Sequence, residues 1–333
     1  MKQDFWTYNK PLSMTGLGGG AASLSVVSSG DPYDAAHSGF FSKSASPLDF
    51  DNSSYDEFSS SGTSGLSGNT HDAYGSAFFD NYSQKIFGNN NYTSAVDPWI
   101  WDWSNGGSSY TGNANFYAVS SNGSAFANLD NANNSDTAGD PHAGGFTVGY
   151  LGDQTPVLVA AGSSSNRRFY FFEYPSGNFI GKCNITIGGT NGPESSSMHQ
   201  AKIAFTGTHI ITMRRGSHSS GNAYMYGFPM PASTSNISTA SSNDMTANLR
   251  WTMGYDGNFH GLAWTGDGVI MGTNGNRQTA EYRRLTNNGM NGTSTLIRSF
   301  AYGENLWSLG IDYQNRKLIL GGYNGDKYRV FGE

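Results

Sequence analysis

Three histidines stand at matched intervals in a chain that offers few other reactive groups. His142, His199 and His260 are separated by 57 and 61 residues, and imidazoles brought together from equivalent places of a repeated unit can ligate a metal or hold an anion. The same spacing arises without chemistry when each imidazole bonds a neighbouring repeat, and that structural role is the expectation. None of the seven histidines forms a His-X-X-X-His pair, and the single cysteine, Cys183, gives no partner for a zinc set. The expectation is no metal and no cofactor.

Other constellations are weaker. Trp99, Trp101 and Trp103 alternate along one segment, so their indoles fall on one face of a strand, either as a platform for stacking sugars or docking protein or as core. Three arginine doublets, Arg167-Arg168, Arg214-Arg215 and Arg283-Arg284, either converge on an anionic ligand or serve as separate ion pairs, the latter being expected. Carboxylates are densest over Leu48-Asp49-Phe50-Asp51-Asn52-Ser53-Ser54-Tyr55-Asp56-Glu57. That run lacks the glycine and spacing of a Ca²⁺ loop and is expected to be a solvated turn. Gly16-Leu17-Gly18-Gly19-Gly20-Ala21 matches a dinucleotide loop in letters only, because Pro11 precedes it and no helix follows. A Gly-X-Ser-X-Gly elbow and a phosphate-binding Walker loop are both absent.

The elements that must carry these residues repeat. An aromatic preceded by an apolar residue two places earlier leads into a Gly or Asn turn at Val148-Gly149-Tyr150, Ile203-Ala204-Phe205, Leu262-Ala263-Trp264 and Ile311-Asp312-Tyr313. Each copy is followed by an apolar run and then a Tyr-bearing run, and the opening aromatics lie 55, 59 and 49 residues apart. Fourth strands are expected at Phe179–Ile185, Leu249–Met253 and Leu296–Phe300. Short alternating strands with tight turns and no helical period describe antiparallel meanders. One meander cannot cover both of its faces, whereas a radial stack covers each face with the next sheet, as in a β-propeller.

The expected fold is therefore all-β: a single β-propeller domain over 1–333, with six blades of roughly 55 residues against about 40 to 50 in common propellers. Residues 142–333 hold four clear repeats and 11–141 degenerate blades. Trp99–Trp103, Asn115–Val119 and Ala125–Leu129 are expected as second, third and fourth strands of one blade; Ser23–Val27, Gly39–Phe41 and Leu48–Phe50 are expected within the first. The last repeat stops after its third strand, so residues 1–10, through Phe5-Trp6-Thr7-Tyr8, are expected to close the ring as its outer strand. Five or seven blades, or a sandwich or solenoid, are the alternatives.

Charged residues make up 13% of the chain, about half the usual share, while aromatics make up 14% and glycine 45 of 333 residues. Such a balance suits a turn-rich all-β protein with a neutral polar surface. A net charge of −6 without any stretch of five basic residues gives no footprint for nucleic acid. The start, Met1-Lys2-Gln3-Asp4-Phe5-Trp6, lacks an apolar signal region, and no window approaches about 18 apolar residues. A soluble chain made in a reducing compartment, without membrane insertion, is expected, with Cys183 a buried inert thiol in a fourth strand.

Trp307-Ser308-Leu309-Gly310-Ile311-Asp312-Tyr313-Gln314-Asn315-Arg316-Lys317-Leu318 resembles the repeat of YWTD and NHL-type propellers, and His260–Met271 echoes it, although the YWTD tetrapeptide is absent. The Gly-, Ser-, Asn- and Tyr-rich, charge-poor texture, with Gly-Leu-Gly-Gly-Gly-Ala-Ala-Ser-Leu-Ser near the start, resembles tail-fibre and other virion structural proteins of bacteriophages, especially marine ones. The resemblance implies a non-enzymatic structural or binding component of a phage virion, in a tail fibre, tail or capsid decoration, made in the bacterial host cytoplasm. Implied partners are other virion proteins, a host surface glycan or protein, and further copies of the chain. Segments 59–76, 130–141, 188–198 and 231–248, which break the rhythm, are expected to carry the contacts. The rival reading is a carbohydrate-active or lactonase-like propeller enzyme, which needs the three histidines, or carboxylates such as Asp267 and Asp312, to converge at a channel mouth.

Overall fold

A computed structural model describes residues 48–59, 78–80, 85–90, 97–104, 109–111, 146–161, 168–174, 179–186, 202–213, 224–237, 243–254, 259–273, 279–303, 306–313, 316–322 and 327–333. The repeated phrase builds what its alternation demands. In each of the four clear repeats the segment leading into the opening aromatic is the first strand of an antiparallel meander. One blade is formed by β6 (Phe146–Tyr150), β7 (Pro156–Ala161), β8 (Arg168–Glu173) and β9 (Phe179–Thr186). The next holds β10 (Lys202–Phe205), β11 (His209–Met213), β12 (Tyr224–Pro229) and β14 (Leu249–Thr252), with β13 (Asn243–Thr246) diverted elsewhere. Then come β15 (Phe259–Trp264), β16 (Gly268–Thr273), β17 (Thr279–Thr286) and β18 (Gly292–Ala301). The last is β19 (Leu306–Asp312), β20 (Lys317–Gly322) and β21 (Lys327–Gly332), joined by β1 (Asp56–Ser59).

A further meander precedes them: β2 (Phe78–Asp80), β3 (Lys85–Asn90), β4 (Asp97–Ser104) and β5 (Ser109–Thr111). The innermost strands β6, β10, β15 and β19 pack one against the next, and β2 packs against both β19 and β6. Meanders arranged radially around contacting inner strands make a β-propeller. The cores lie in the seams between blades rather than within them. Phe169, Phe171 and Val159 face Ile210, Tyr226 and Phe228; Met225 and Trp251 face Leu262 and Met271; Tyr282 and Phe300 face Leu309, Leu320 and Phe331. Strand alternation sends Tyr226 to one seam and Met225 to the other, as the sequence suggests.

The phrase itself is a seam device. Phe205 lies against Gly149 of the preceding blade, where an added Cβ would sit 2.9 Å from the ring, and Tyr313 donates its hydroxyl to the Trp264 carbonyl of the preceding blade at 2.9 Å. Phe205 and Tyr313 thus each reach back one repeat, and Gly149 makes room for the Phe205 ring.

Several expectations are corrected. The last blade does take its outer strand from the N-terminal part of the chain, but the strand is Asp56–Ser59; Phe5–Tyr8 lies outside the described residues. Leu48–Phe50 is not a strand of a first blade. Leu48 and Phe50, each 1% exposed, are wedged into the seam of the last two blades, where two apolar side chains contribute more than a short unpaired strand could. Trp99–Trp103 lies in the third strand of its blade, because Phe78 starts that blade inside the stretch 60–95. Five meanders are seen among the described residues; Ser23–Val27, Gly39–Phe41, Asn115–Val119 and Ala125–Leu129, on which the expectation of six blades partly rests, lie outside them.

Insertion 231–248 is also redirected. β13 pairs in parallel with β9 of the preceding blade, Asn243 opposite Cys183 through Thr246 opposite Thr186. Gly152 and Asp153 donate to the carbonyls of Pro231 and Ala232 at 2.9 and 2.7 Å. Ile237, Met245 and Ala247 are buried in the seam core. The described parts of the insertion staple two blades, and Ile237, Met245 and Ala247 are spent on that packing.

Candidate functional site

His142 and His199 lie outside the described residues. His260 falls inside β15 opposite Gly272, at a bulge whose next residue, Gly261, has φ +77° and comes so close to the last blade that an added Cβ would stand 2.6 Å from Leu309 Cβ. Trp99, Trp101 and Trp103 occupy alternate positions of β4, opposite Gly88, Ile86 and Tyr110.

The Arg283-Arg284 doublet splits as strand alternation requires. Arg283 turns into the seam, 2.8 Å from Glu281, and donates to the Met253 carbonyl of the preceding blade at 2.7 Å. Arg284 turns outward to Asp267 at 2.6 Å. Arg168 bonds Asn184 across its own blade at 3.0 Å. Arg167, Arg214 and Arg215 lie outside the described residues. The described arginines therefore act as separate ties.

Asp267 is fully engaged: it accepts from Tyr282 at 2.5 Å, Thr265 at 3.3 Å and Arg284. Burial, together with the hydrogen bond to Asp267, pushes the Tyr282 hydroxyl up to about 12. Asp312 is completely buried at the end of β19. The N-terminal carboxylates disperse rather than converge. Asp49 pairs with Arg298 at 3.2 Å and Glu57 with Arg329 at 3.1 Å. Asp51 accepts from the Ser53 hydroxyl and amide at 2.5 and 2.9 Å, which holds its carboxyl below the usual range. Among the described residues no three His, Cys, Asp or Glu side chains cluster as a metal site. Cys183 is buried, and desolvation followed by the charge of Asp244 raises its thiol to about 11.

The ring has two unlike ends. Links between first and second strands, 151–155, 206–208, 265–267 and 313–316, and between third and fourth strands all leave from one end. This turn end is closed by short hydrogen-bonded turns such as Leu151 to Thr155 and Thr265 to Gly268, and by the 231–248 staple. The strand ends Ala161 and Arg168, Met213 and Tyr224, Thr273 and Thr279, and Gly322 and Lys327 lie at the opposite end, and the connections between them, like those from one blade to the next at 187–201 and 255–258, fall outside the described residues. Their sequences are Gly-Ser-Ser-Ser-Asn-Arg, Arg-Arg-Gly-Ser-His-Ser-Ser-Gly-Asn-Ala, Asn-Gly-Asn-Arg-Gln and similar. Sequence reading named 188–198 for contact but did not separate the two ends, since strand polarity becomes visible only when every blade is placed.

No protein family matches this chain, and no curated protein does. Among solved structures it is similar to the β-propeller domain of Cps50 (Swd1) from Myceliophteria thermophila, at 11% identity over 76% of this chain and 67% of that one, with a TM-score of 0.36. U3-55K is similar at 11% identity over 54% of this chain and 46% of that one, TM-score 0.31. A chain of the mitotic checkpoint complex is similar at 9% identity over 87% of this chain and 95% of that one, TM-score 0.36. The fold assignment rests on strand order and seam packing.

Proposed function

We propose that this propeller is a non-enzymatic scaffold that binds a macromolecular partner through its link end, and that it does so as a structural component of a phage virion. The observation that carries the binding reading is the inequality of the two ends. The turn end is occupied by its own short turns and by the ties of Pro231, Ala232 and Asn243–Thr246 to the preceding blade, whereas the connections that leave the other end are rich in Ser, Asn, Gly and Arg in sequence. Such residues supply adaptable hydrogen bonding on a rigid support. Support for the virion role is the charge-poor Gly/Ser/Asn texture of the whole chain.

Cross-linking mass spectrometry on purified particles tests both parts. The expected result is recovery of this chain with cross-links to another virion protein from Arg167, Arg214 or Arg277. Absence from particles overturns the virion role; partner cross-links confined to the turn end, at Arg284 or Arg316, overturn the binding reading.

A further inference from the structure

The seam between the last two blades has the build of a peptide groove that the chain fills with its own residues 48–59. This segment, Leu-Asp-Phe-Asp-Asn-Ser-Ser-Tyr-Asp-Glu-Phe-Ser, carries four carboxylates and no basic residue. The groove offers arginines in return. Arg298 pairs with Asp49 at 3.2 Å and also donates to the Phe50 carbonyl. Arg329 pairs with Glu57 at 3.1 Å and lies 4.4 Å from the Tyr55 ring. Backbone and amide bonds set the register: Leu48 to Thr265 at 3.1 Å, Asp51 to Gly332 at 2.8 Å, and the Asn52 side chain to the Ser299 carbonyl at 2.9 Å. Leu48 and Phe50 plug the seam core, and Asp56–Ser59 adds a strand to β21. Apolar plugs, a paired strand edge and complementary charge are the components of strand-addition recognition.

Apart from the turn at Asp51 and Ser53, these contacts run to residues 265–333. The groove therefore reads the segment itself and not its attachment, and the segment of another copy makes the same bonds. Residues 60–77 separate it from β2, and at about 3.3 Å per residue that length of chain sets an upper bound of ~60 Å on the span. We propose that residues 48–59 of one copy dock in this groove of a second copy, joining propellers by exchange of the segment where copies are crowded together.

Single-cysteine copies test this in a Cys183→Ala background. Ser59 lies opposite Lys327 in the β1–β21 pair, so a full-length Ser59→Cys chain is mixed with a full-length Lys327→Cys chain and oxidised. Mixing at about 1 mM sets exchange between copies in competition with docking within one chain. The expected product is a disulfide-linked heterodimer at least ten-fold above that of a control mixing Ser59→Cys with Thr208→Cys, which stands exposed on the turn end. Excess synthetic 48–59 peptide should suppress the heterodimer, and the same peptide with Asp49 and Glu57 replaced by Lys should not. A heterodimer yield no higher than the control, while the Ser59→Cys/Lys327→Cys chain closes internally, overturns exchange. Failure of that double variant to close overturns the strand pairing itself.

Discussion

At the scale of single residues, the charged groups of this protein hold blades together, and their removal has a definite sign. Arg283 and Glu281 are 7% and 5% exposed, and Arg283 also satisfies the Met253 carbonyl of the neighbouring blade. Arg283→Met removes the ion-pair partner 2.8 Å from a buried carboxylate, which costs about 3–5 kcal/mol. The Glu281→Leu/Arg283→Met pair removes both charges and should recover most of that loss. Urea unfolding of wild type, single and double variants checks it, and a double variant as unstable as the single would contradict the argument. Alkaline pH acts at two further residues. The folded protein holds the Cys183 thiol at about 11 against an ordinary value of 9.0, and the Tyr282 hydroxyl at about 12 against 10.0. Raised folded values mean that the native state binds these protons more tightly than the unfolded chain does. The stability they contribute is whole below pH 9 and falls as pH rises from about 9 to 12. Melting temperature should decline over that window, and Tyr282→Phe should flatten its upper part.

At the scale of elements, the sequence revealed strands well and the use of insertions poorly, for a physical reason. Periodicity reports which residues are buried on a sheet face, so Leu249–Thr252 and Gly292–Ala301 fall where Leu249–Met253 and Leu296–Phe300 were expected. Periodicity does not report which neighbour covers the face. Ser233–Asn248 contains only scattered apolar residues, yet Ile237 and Met245 enter the core beneath β9. Asp49–Glu57 reads as a solvated acidic turn because its basic partners, Arg298 and Arg329, lie more than 240 residues away. A consequence for the staple can be measured. Ile237 is 8% exposed, and Ile237→Ala should cost about 2–4 kcal/mol in denaturant unfolding. It should also speed amide exchange in Asn243–Thr246 and the facing Cys183–Thr186, while leaving β19–β21 protected. Uniform loss of protection would show that the staple is not a local device.

At the scale of the whole molecule, a ring of seams behaves differently from a row of repeats. In an open array each end unit has one neighbour, and unfolding can start there. Here the last blade is held on one side by Tyr313 bonding back to Trp264 and on its outer edge by Asp56–Ser59, with Leu48 and Phe50 filling the seam. The chain's latest strands therefore depend on some of its earliest described residues. That dependence should make the seam of the last two blades the place where the ring opens when residues 48–59 are weakened. Leu48→Ala and Phe50→Ala each delete a side chain only 1% exposed, at about 2–5 kcal/mol apiece. As neighbours in one cavity their effects should not be strictly additive. The double variant should unfold with β18–β21 exchanging first and β6–β9 last. If instead all blades lose protection together, the ring is a single cooperative unit whose closure is shared by every seam; if β6–β9 opens first, the 48–59 segment is not what closes it.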